Sequence, residues 1–549
     1  MPPLLSILFA ALSGVLLVLA YPPFGQSWLI WIALIPALLG LHLDPASGTR
    51  PLLAWRAWVP GLLLGIICFG GLFWWIGEVT VLGTVLLCLY LAFYPAIWLL
   101  YAARRWPRQA PYTSYGILRT GIELASLWIV LEWLRGWLFS GFGWNGLGVA
   151  LYANLPFLQA ARFGGVLGLS WIVALTNVVG ALTLVRLYHE ARGRQKLRAH
   201  VDFSLVMVAL ALLLVTGWHH LWRVPSGAPR HLRYALVQPD IPQELTDSFP
   251  PEESLRRHLD LTAQAALLQP DLIIWPESPV GIDLVLDRPS HEALFQLMAN
   301  ANFSLLAGSL HIVEGQVFNS ALLFDPYDGG LHIYDKNHLV PFGEYVPFAR
   351  QLPFLRRLVP FQIDFSHGDH PRIMTLTNGV RLLPLICFED TLARYARLGI
   401  HEGLRDPETA PGPLPDLLVN LTNDGWFHRS PGTAQHLANA VFRTVELDRP
   451  LLCCSNTGIS AVVDATGRIT SELAVGNRNV DVSGILSGDL QWYPAEETPY
   501  SRYGDWFVWL AAAAVLWRPL RDKMTPKAKS ELQPELLEPT EEPESSGST

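Results

Sequence analysis

The chain has 549 residues, of which 51% are hydrophobic and only 16% charged, and its formal net charge is −8. Soluble domains average about 25% charged residues, so this composition argues against a wholly soluble protein. It also gives no basic footprint for nucleic acid, and the length requires more than one domain.

In chain order, uncharged apolar runs fall near 4–21, 27–43, 57–77, 79–101, 118–139, 163–185 and 203–222. Most approach the roughly 20 residues that a bilayer helix needs, which predicts a membrane bundle of seven spans. The first run is too apolar throughout, and too closely followed by the next, to be a cleaved signal peptide. The fifth carries Glu123, Glu132 and Arg135. Ionisable groups at such depth face a cavity or one another. Two readings stay open: an interfacial Glu132–Arg135 pair beside Trp133 and Trp137, or the border of a site where a lipid head group docks.

The loops alternate in charge. Those after the second, fourth and sixth runs hold Arg50, then Arg104, Arg105 and Arg108, then Arg192, Arg194, Lys196 and Arg198. The loops between them hold almost no Lys or Arg. Positive loops mark the cytoplasmic side, so the N-terminus is expected in the cytoplasm and residues 223–502 outside it. The run Trp506–Trp517 is short for a span. Arg518, Arg521, Lys523, Lys527 and Lys529 after it fit a return to the cytoplasm, which makes it an eighth crossing. The expected division is therefore a bundle over 1–222, an extramembrane domain over 223–502, a last helix over 503–520 and a tail over 521–549. The Glu-, Pro- and Ser-rich end of that tail is expected to be disordered.

The middle of the chain reads as an ordinary globular domain. YALVQPDIPQ, DLIIWPES, FSLLAGSLHI, RLLPLICFED and PDLLVNLTND are strands running into loops, and helices are expected near 252–268, 291–301, 391–402 and 433–446. Leu- and Ile-rich strands among helices imply an α/β domain with covered sheets. Three chemically distinct residues stand where strands give way to loops: Glu277 in IIWPES, Lys336 in YDKNHLVPFGE and Cys387 in LICFED. Strand-end loops are where such domains place their sites. A thiol attacks as thiolate and needs a base, for which a carboxylate serves. An ammonium stabilises the oxyanion of a tetrahedral intermediate. The product is an acyl-thioester enzyme. A Cys–His arrangement through His338 or His436 is the rival. The remaining cysteines, Cys68, Cys88, Cys453 and Cys454, show neither zinc nor disulfide spacing. All five are expected as free thiols, with no metal and no cofactor.

The set Lys336, Leu339, Pro341 and Glu344 matches K-x-x-L-x-P-x-x-E, and Cys387-Phe388-Glu389 matches a nucleophile motif. With NLTNDGWF at 420–427, AQHLANAVFRTVELDRP at 434–450 and NTGISAVVDATG at 456–467, the domain resembles the nitrilase superfamily. YPPFG at 21–25, EWLRGWLFSGFGW at 132–144 and FGGVLGLSWIVALTN at 163–177 narrow the resemblance to the apolipoprotein N-acyltransferase family, over about 4–520. The resemblance implies an αββα sandwich on a bundle of about eight spans, acting in the bacterial inner membrane with its catalytic domain on the periplasmic side. It implies a phospholipid donor, typically phosphatidylethanolamine, and as acceptor the free α-amine of an apolipoprotein's diacylglyceryl-cysteine. It further implies ping-pong turnover by a monomer. Matched by motif, Glu277 is the base, Lys336 the oxyanion partner and Cys387 the nucleophile. Glu344 positions or tunes them, and Phe388 and Glu389 line the site, Glu389 holding a loop or Lys336.

The sequence departs from the family in two places. Phe388 stands where Tyr is frequent, and Ile241-Pro242-Gln243 leads into Glu244, Leu245, Thr246 and Asp247 without the frequent Trp, leaving Phe249 as the substitute. The aromatic and Arg-bearing stretch 340–362 suits a membrane-facing lid, or else an ordinary surface excursion. The rival function is a membrane-tethered amidase-type hydrolase in which water discharges the thioester.

Overall fold

In the computed structural model the apolar runs of the first part of the chain are helices. Residues 2–44, 54–107, 112–193, 199–243, 249–278, 280–326, 330–351, 353–358, 364–403 and 414–524 are described. The bundle comprises α1 (Pro2–Ala20), α2 (Ile35–Leu43), α3 (Trp55–Phe73), α4 (Val81–Arg105), α5 (Ser114–Arg135), a short α6 (Leu155–Leu158), α7 (Ala161–Arg192) and α8 (Val201–Trp222). Thr80 and Thr113 cap α4 and α5 by accepting from the N–H groups of Gly83 and Gly116, at 3.3 and 3.1 Å. Such caps satisfy donors that a helix leaves open at its start. The α3 and α4 backbones meet closely: a Cβ on Gly65 would lie 2.5 Å from Ala92 Cα. Small residues give membrane helices this dispersion contact.

Four helical stretches, Trp55–Glu78, Val81–Arg105, Ala161–Arg192 and Val201–Trp222, are long and apolar enough to cross a membrane. Leu4–Ala20, Ser27–Leu43 and Trp506–Trp517 are shorter apolar helices. The second run is broken, because a 3₁₀ turn at Ser27–Trp31 precedes α2. The fifth ends as a helix at Arg135, and the backbone beyond it is irregular. The two ends of the bundle differ. At one end the Gln435 amide donates to the carbonyls of Pro22 and Leu72, at 3.1 and 3.2 Å, tying the ends of α1 and α3 to the next domain. At the other, Arg105 pairs with Glu123 at 3.1 Å and Arg186 with Asp202 at 3.3 Å. Arg50, Arg108, Arg194, Lys196, Arg198, Lys527, Lys529, Glu244 to Asp247 and the tail from 525 lie outside the described residues.

The second domain is built from β1 (Arg230–Gln238), α9 (Pro251–Ala266), β2 (Leu272–Ile274), α10 (Arg288–Met298), β3 (Ser304–Val313), β4 (Gln316–Phe324), β5 (Leu331–Asp335), β6 (Met374–Thr375) and β7 (Arg381–Ile386). It continues with α11 (Ala393–Gly403), β8 (Leu417–Thr422), α12 (Gly432–Leu447), β9 (Leu451–Ser455), β10 (Ala461–Val463), β11 (Ile469–Glu472) and β12 (Gly484–Trp492). Two helices, α13 (Pro499–Tyr503) and α14 (Trp506–Met524), come after the last strand. The strands form two six-stranded sheets, ordered β12-β1-β2-β3-β4-β5 and β11-β10-β9-β8-β7-β6. Leu236, Ile274 and Leu306 of the first sheet share a core with Leu382, Ile386 and Val419 of the second.

The outer faces differ. On the first sheet, Val237, Ile273 and Leu305 pack with Leu255 of α9 and Leu294 of α10 in a small separate core. On the second, Leu383, Leu385 and Leu418 pack with Leu437 and Val441 of α12 in one continuous core that includes the membrane helices. The layering is helix, sheet, sheet, helix, with the last layer fused to the bundle. Side chains alternate across a strand, so Cys453 faces that fused core while Cys454 faces the inter-sheet core. All five cysteines are free thiols.

Candidate active site

Glu277, Lys336 and Cys387 converge at the ends of β2, β5 and β7. The turn after β2 is pressed against β3, where a Cβ on Gly308 would lie 2.1 Å from Pro276 O and 2.9 Å from Glu277 Cα. Only glycine permits that approach, and it fixes the carboxylate. Glu277 Oε1 accepts from Lys336 Nζ at 3.3 Å and from Asn319 Nδ2 at 2.7 Å, and its Oε2 accepts from the Asn423 N–H at 2.9 Å.

Lys336 is 1% exposed. Its Nζ also donates to Glu344 Oε1 at 2.9 Å, and Glu344 Oε2 accepts from Val340 N at 2.8 Å. The spaced motif therefore closes on itself: Glu344 folds the 336–344 loop and sets a second carboxylate on the lysine. Burial alone would push the Lys336 pKa down, but Glu344, Glu277 and Cys387 outweigh it and hold the pKa above the ordinary range. The ammonium is permanent.

Cys387 opens a 3₁₀ turn, Cys387–Thr391, directly after β7, and its φ is +52°. That left-handed conformation is uncommon for a non-glycine residue and clusters at functional sites. The residue is half-buried while β7 behind it is fully buried. Burial and then Glu277 push the thiol well above its usual pKa, against Lys336 and a hydrogen bond with Thr422. The resting group is a thiol, not a thiolate. Glu277, Lys336 and Asp424 are the charges acting most strongly on it, and neither histidine is among them.

His436 is engaged elsewhere at both ring nitrogens, and His338 at Nδ1. His436 lies between Asp424 Oδ1 at 2.8 Å and Asp390 Oδ1 at 3.0 Å. Burial opposes its charge, but the two carboxylates outweigh it and raise the pKa well above the ordinary value. An imidazolium has no lone pair with which to accept a proton. His338 bonds Tyr395 through Nδ1 at 2.9 Å and stacks on Phe388 at 5.7 Å, and burial pushes its pKa down to about 3.

Glu389 holds a loop. Its Oε1 accepts from the N–H groups of Asn337 and His338, at 2.8 and 3.0 Å, and its Oε2 from that of Ile386 at 2.8 Å. One buried carboxylate thus ties the lysine loop to the cysteine turn. Phe388 packs among Phe142 and Trp144, each at 6.3 Å. The segment after α5 therefore borders the site. The Glu132–Arg135 pair is not what forms, because each group is spent on other partners. Glu132 accepts from Trp128 Nε1, Leu147 N and Ser170 Oγ at 3.0, 3.2 and 2.6 Å, and Arg135 donates to Trp144 O at 2.9 Å. Irregular backbone beyond the helix end leaves open N–H and C=O groups that attract both side chains. Phe249 is covered by the Arg257 guanidinium at 4.8 Å. In the stretch 340–362, Phe342, Phe348 and Phe354 are exposed and Tyr345 bonds Ser140 Oγ at 2.7 Å, which sets this loop beside the bundle. Residues 352 and 359–362 of it lie outside the described residues.

Asn319 escaped the sequence reading. Its Nδ2 bridges Glu277 and Glu344 at 2.7 and 3.0 Å, its Oδ1 accepts from Ser278 Oγ at 2.9 Å, and its backbone O accepts from Lys336 N at 2.8 Å. The signal was an amide inside the apolar strand VFNSALLF. Buried polar groups require partners, and Asn420 in LLVNLT carried the same mark, bonding both Asp390 and the Cys387 carbonyl.

Residues 13–179 match the apolipoprotein N-acyltransferase N-terminal domain, and residues 233–491 match carbon-nitrogen hydrolase. An apolipoprotein N-acyltransferase of Geobacter metallireducens is 34% identical over 93% of this chain and 94% of its own length. One of Vibrio vulnificus is 29% identical over 93% of this chain and 97% of its own. Among solved structures, a CN-hydrolase superfamily protein of Xanthomonas campestris is 21% identical, covers 48% of this chain and 91% of its own, and superposes with a TM-score of 0.34. Sequence likeness that runs through both the helical bundle and the two-sheet domain makes this chain a member of the apolipoprotein N-acyltransferase family.

Proposed function

We propose that this chain moves a fatty acyl chain from a membrane phospholipid to the α-amine of an N-terminal diacylglyceryl-cysteine, through a thioester on Cys387. The observation that carries this reading is the convergence of one thiol, one permanently charged lysine and one buried carboxylate beside the membrane bundle. Glu277 takes the thiol proton as sulfur attacks the ester carbonyl of the donor. Lys336 faces the developing oxyanion, and such a fixed charge is worth about 10²–10³ in rate. Collapse expels the lyso-phospholipid alkoxide, which receives the proton from Glu277 and leaves an acyl-thioester. The acceptor amine then attacks, Glu277 takes its proton, and the tetrahedral intermediate breaks to amide and free thiol. Glu344 keeps Lys336 in place between two carboxylates, and Glu389 keeps the loops in register.

The membrane part, in this reading, is eight spans formed by 1–222 and 503–520, with 223–502 as the catalytic domain and 521–549 as a tail. The Arg-bearing end of the bundle faces the cytoplasm and the catalytic domain faces the periplasm of a bacterial inner membrane. Support comes from the geometry of the helix ends, since Pro22 and Leu72 meet the catalytic domain while Arg105 and Arg186 lie at the other end. Phosphatidylethanolamine is the proposed donor and a single chain the working unit. The test is turnover with phospholipid alone, then with a diacylated lipopeptide. One equivalent of lyso-lipid and a persistent adduct on Cys387, discharged by the peptide amine, is the expected result. Continuous release of free fatty acid without an acceptor would make water the nucleophile and the chain a hydrolase. Cys387→Ala should form no adduct.

A further inference from the structure

Two stretches behind the nucleophile, NLTNDGWF and AQHLANAV, carry polar side chains that the reaction above does not use. Strands β7 and β8 pair in parallel as far as Ile386 and Leu421, so Cys387 and Thr422 are the next residues on neighbouring strands. Thr422 hydrogen-bonds the Cys387 sulfur. Its hydroxyl also donates to Asp424 Oδ1 at 3.1 Å. Two residues earlier, on the same face of β8, Asn420 Nδ2 donates to the Cys387 carbonyl at 3.4 Å and to Asp390 Oδ2. The strand therefore grips Cys387 at both its sulfur and its carbonyl, where the backbone φ is +52°.

His436 of α12 closes the circuit. Its Nδ1 faces Asp424 Oδ1 at 2.8 Å, its Nε2 faces Asp390 Oδ1 at 3.0 Å, and Trp144 stacks on the ring at 5.5 Å. All five polar residues of this circuit are buried. Carboxylates only accept, so only a doubly protonated ring bonds both. Asp424 Oδ1 thus receives two donors, the imidazolium N–H and the Thr422 hydroxyl. The ionic donor is the stronger. It satisfies the carboxylate and leaves the Thr422 hydroxyl loosely held. The charges acting most strongly on Cys387 are Glu277 after β2, Lys336 after β5 and Asp424 after β8. Those on His436 are Asp390 and Asp424, and Arg443 further along α12 donates to the carbonyls of Asp390 and Thr391. Cys453 of β9 feels Asp390, Asp424 and Cys387 as well.

We propose that His436 is a positioning residue for the nucleophile: by occupying Asp424 and Asp390 it frees the Thr422 hydroxyl to donate to the Cys387 sulfur as the thiol ionises, and it holds Asn420 on the Cys387 carbonyl. No proton passes through His436. The S–H proton ends on Glu277, and the Thr422 hydroxyl only turns from Asp424 to sulfur. This rests on the thioester reading of Cys387 and adds the groups that prepare its sulfur.

The test needs no lipid turnover. Cys387 is half-buried and the other four cysteines are buried, so iodoacetamide labelling of the full chain, read by peptide mass spectrometry across pH, follows this thiol. His436→Gln should lower the labelling rate near neutral pH about ten-fold, as loss of one hydrogen bond to a charged group does, and move the rise in rate to higher pH. Thr422→Val should do the same, and Thr422→Ser should restore the native profile. Because His436 acts through Thr422, the double variant should label within about two-fold of Thr422→Val alone. A native profile in Thr422→Val overturns the proposal, whether or not His436→Gln folds. Fully additive losses in the double variant overturn the route through Thr422. Faster labelling of His436→Gln at a lower melting temperature would make His436 a packing residue and overturn it too. If the native protein transfers no acyl chain from any lipid, the acyltransferase reading fails while these profiles still decide the role of His436.

Discussion

The candidate catalytic centre and the half-open cleft between α5, α7 and α12 are both lined by charged groups, yet they meet those charges in different ways. At the centre the lysine and the carboxylates around it are answered. Lys336 sits between Glu277 and Glu344, Asn319 bridges both acids, and Glu389 receives three backbone N–H groups. In the cleft, Glu132 and Asp505 are met by neutral donors and Arg443 is paired with Glu446. A fully paired network is rigid and pre-set, which suits chemistry that needs fixed donors aimed at a developing charge. Changes at the first should therefore cost rate, and changes at the second, where Glu446 and Arg443 join α12 to α7, should cost stability.

The largest effect belongs to the centre. Cys387→Ser and Lys336→Met should each lower kcat by about 10²–10³-fold, because a hydroxyl is far harder to deprotonate and the oxyanion loses its cation. Single-turnover release of lyso-lipid measures it. A donor KM that rises as steeply as kcat falls would contradict the division.

Next comes the support around Lys336. Asn319→Ala removes the bridge between Glu277 and Glu344, and Glu344→Gln removes one of the lysine's two carboxylates. Misplacing such groups costs about 10²-fold in rate, read as a fall in kcat at near-constant donor KM. Asn319→Asp sharpens the point: it keeps size but replaces the amide donor with a third carboxylate, and it should be no better than Ala.

The smallest effect concerns Glu446, which accepts from Val166 N at 2.8 Å at a break in α7 and pairs with Arg443. Burial pushes its carboxyl up to about 7, against Arg443 and the Val166 N–H. The folded protein then binds this proton more tightly than the unfolded chain, so stability falls as pH rises from about 4.5 to about 7. Over that window the loss approaches about 3 kcal/mol. Glu446→Gln cannot titrate, so its melting temperature should vary less than the native protein's between pH 5 and pH 8. Parallel pH curves for the two proteins would dismiss the protonated carboxyl at the domain junction.

Much of the candidate site was legible in the chain itself, since Glu277, Lys336 and Cys387 each follow an apolar strand and their chemistry is complementary. Strand ends are local features, written in the switch from Leu and Ile to Pro, Glu, Asn or Cys. The helices of the bundle were legible for the same reason, because a long apolar run has few other fates than a helix. The helices of the catalytic domain fell within a few residues of their expected positions.

What the sequence could not assign was partnership. Glu132 and Arg135, three apart on one helix, read as a pair, yet each turned to irregular backbone beyond that helix. Asn319 lies 42 residues from Glu277 and 25 from Glu344, and Asn145 meets Gln435 across 290 residues. His436, a rival base on paper, became an imidazolium only because folding set Asp390 and Asp424 on either side of it. Residue type and local pattern determine which groups want a partner and which segments bury themselves. Which partner each polar group receives, and where two layers leave a charged cavity between them, is decided by packing. A buried donor takes whatever acceptor the tertiary structure brings within about 3 Å, and no single stretch of sequence contains that distance.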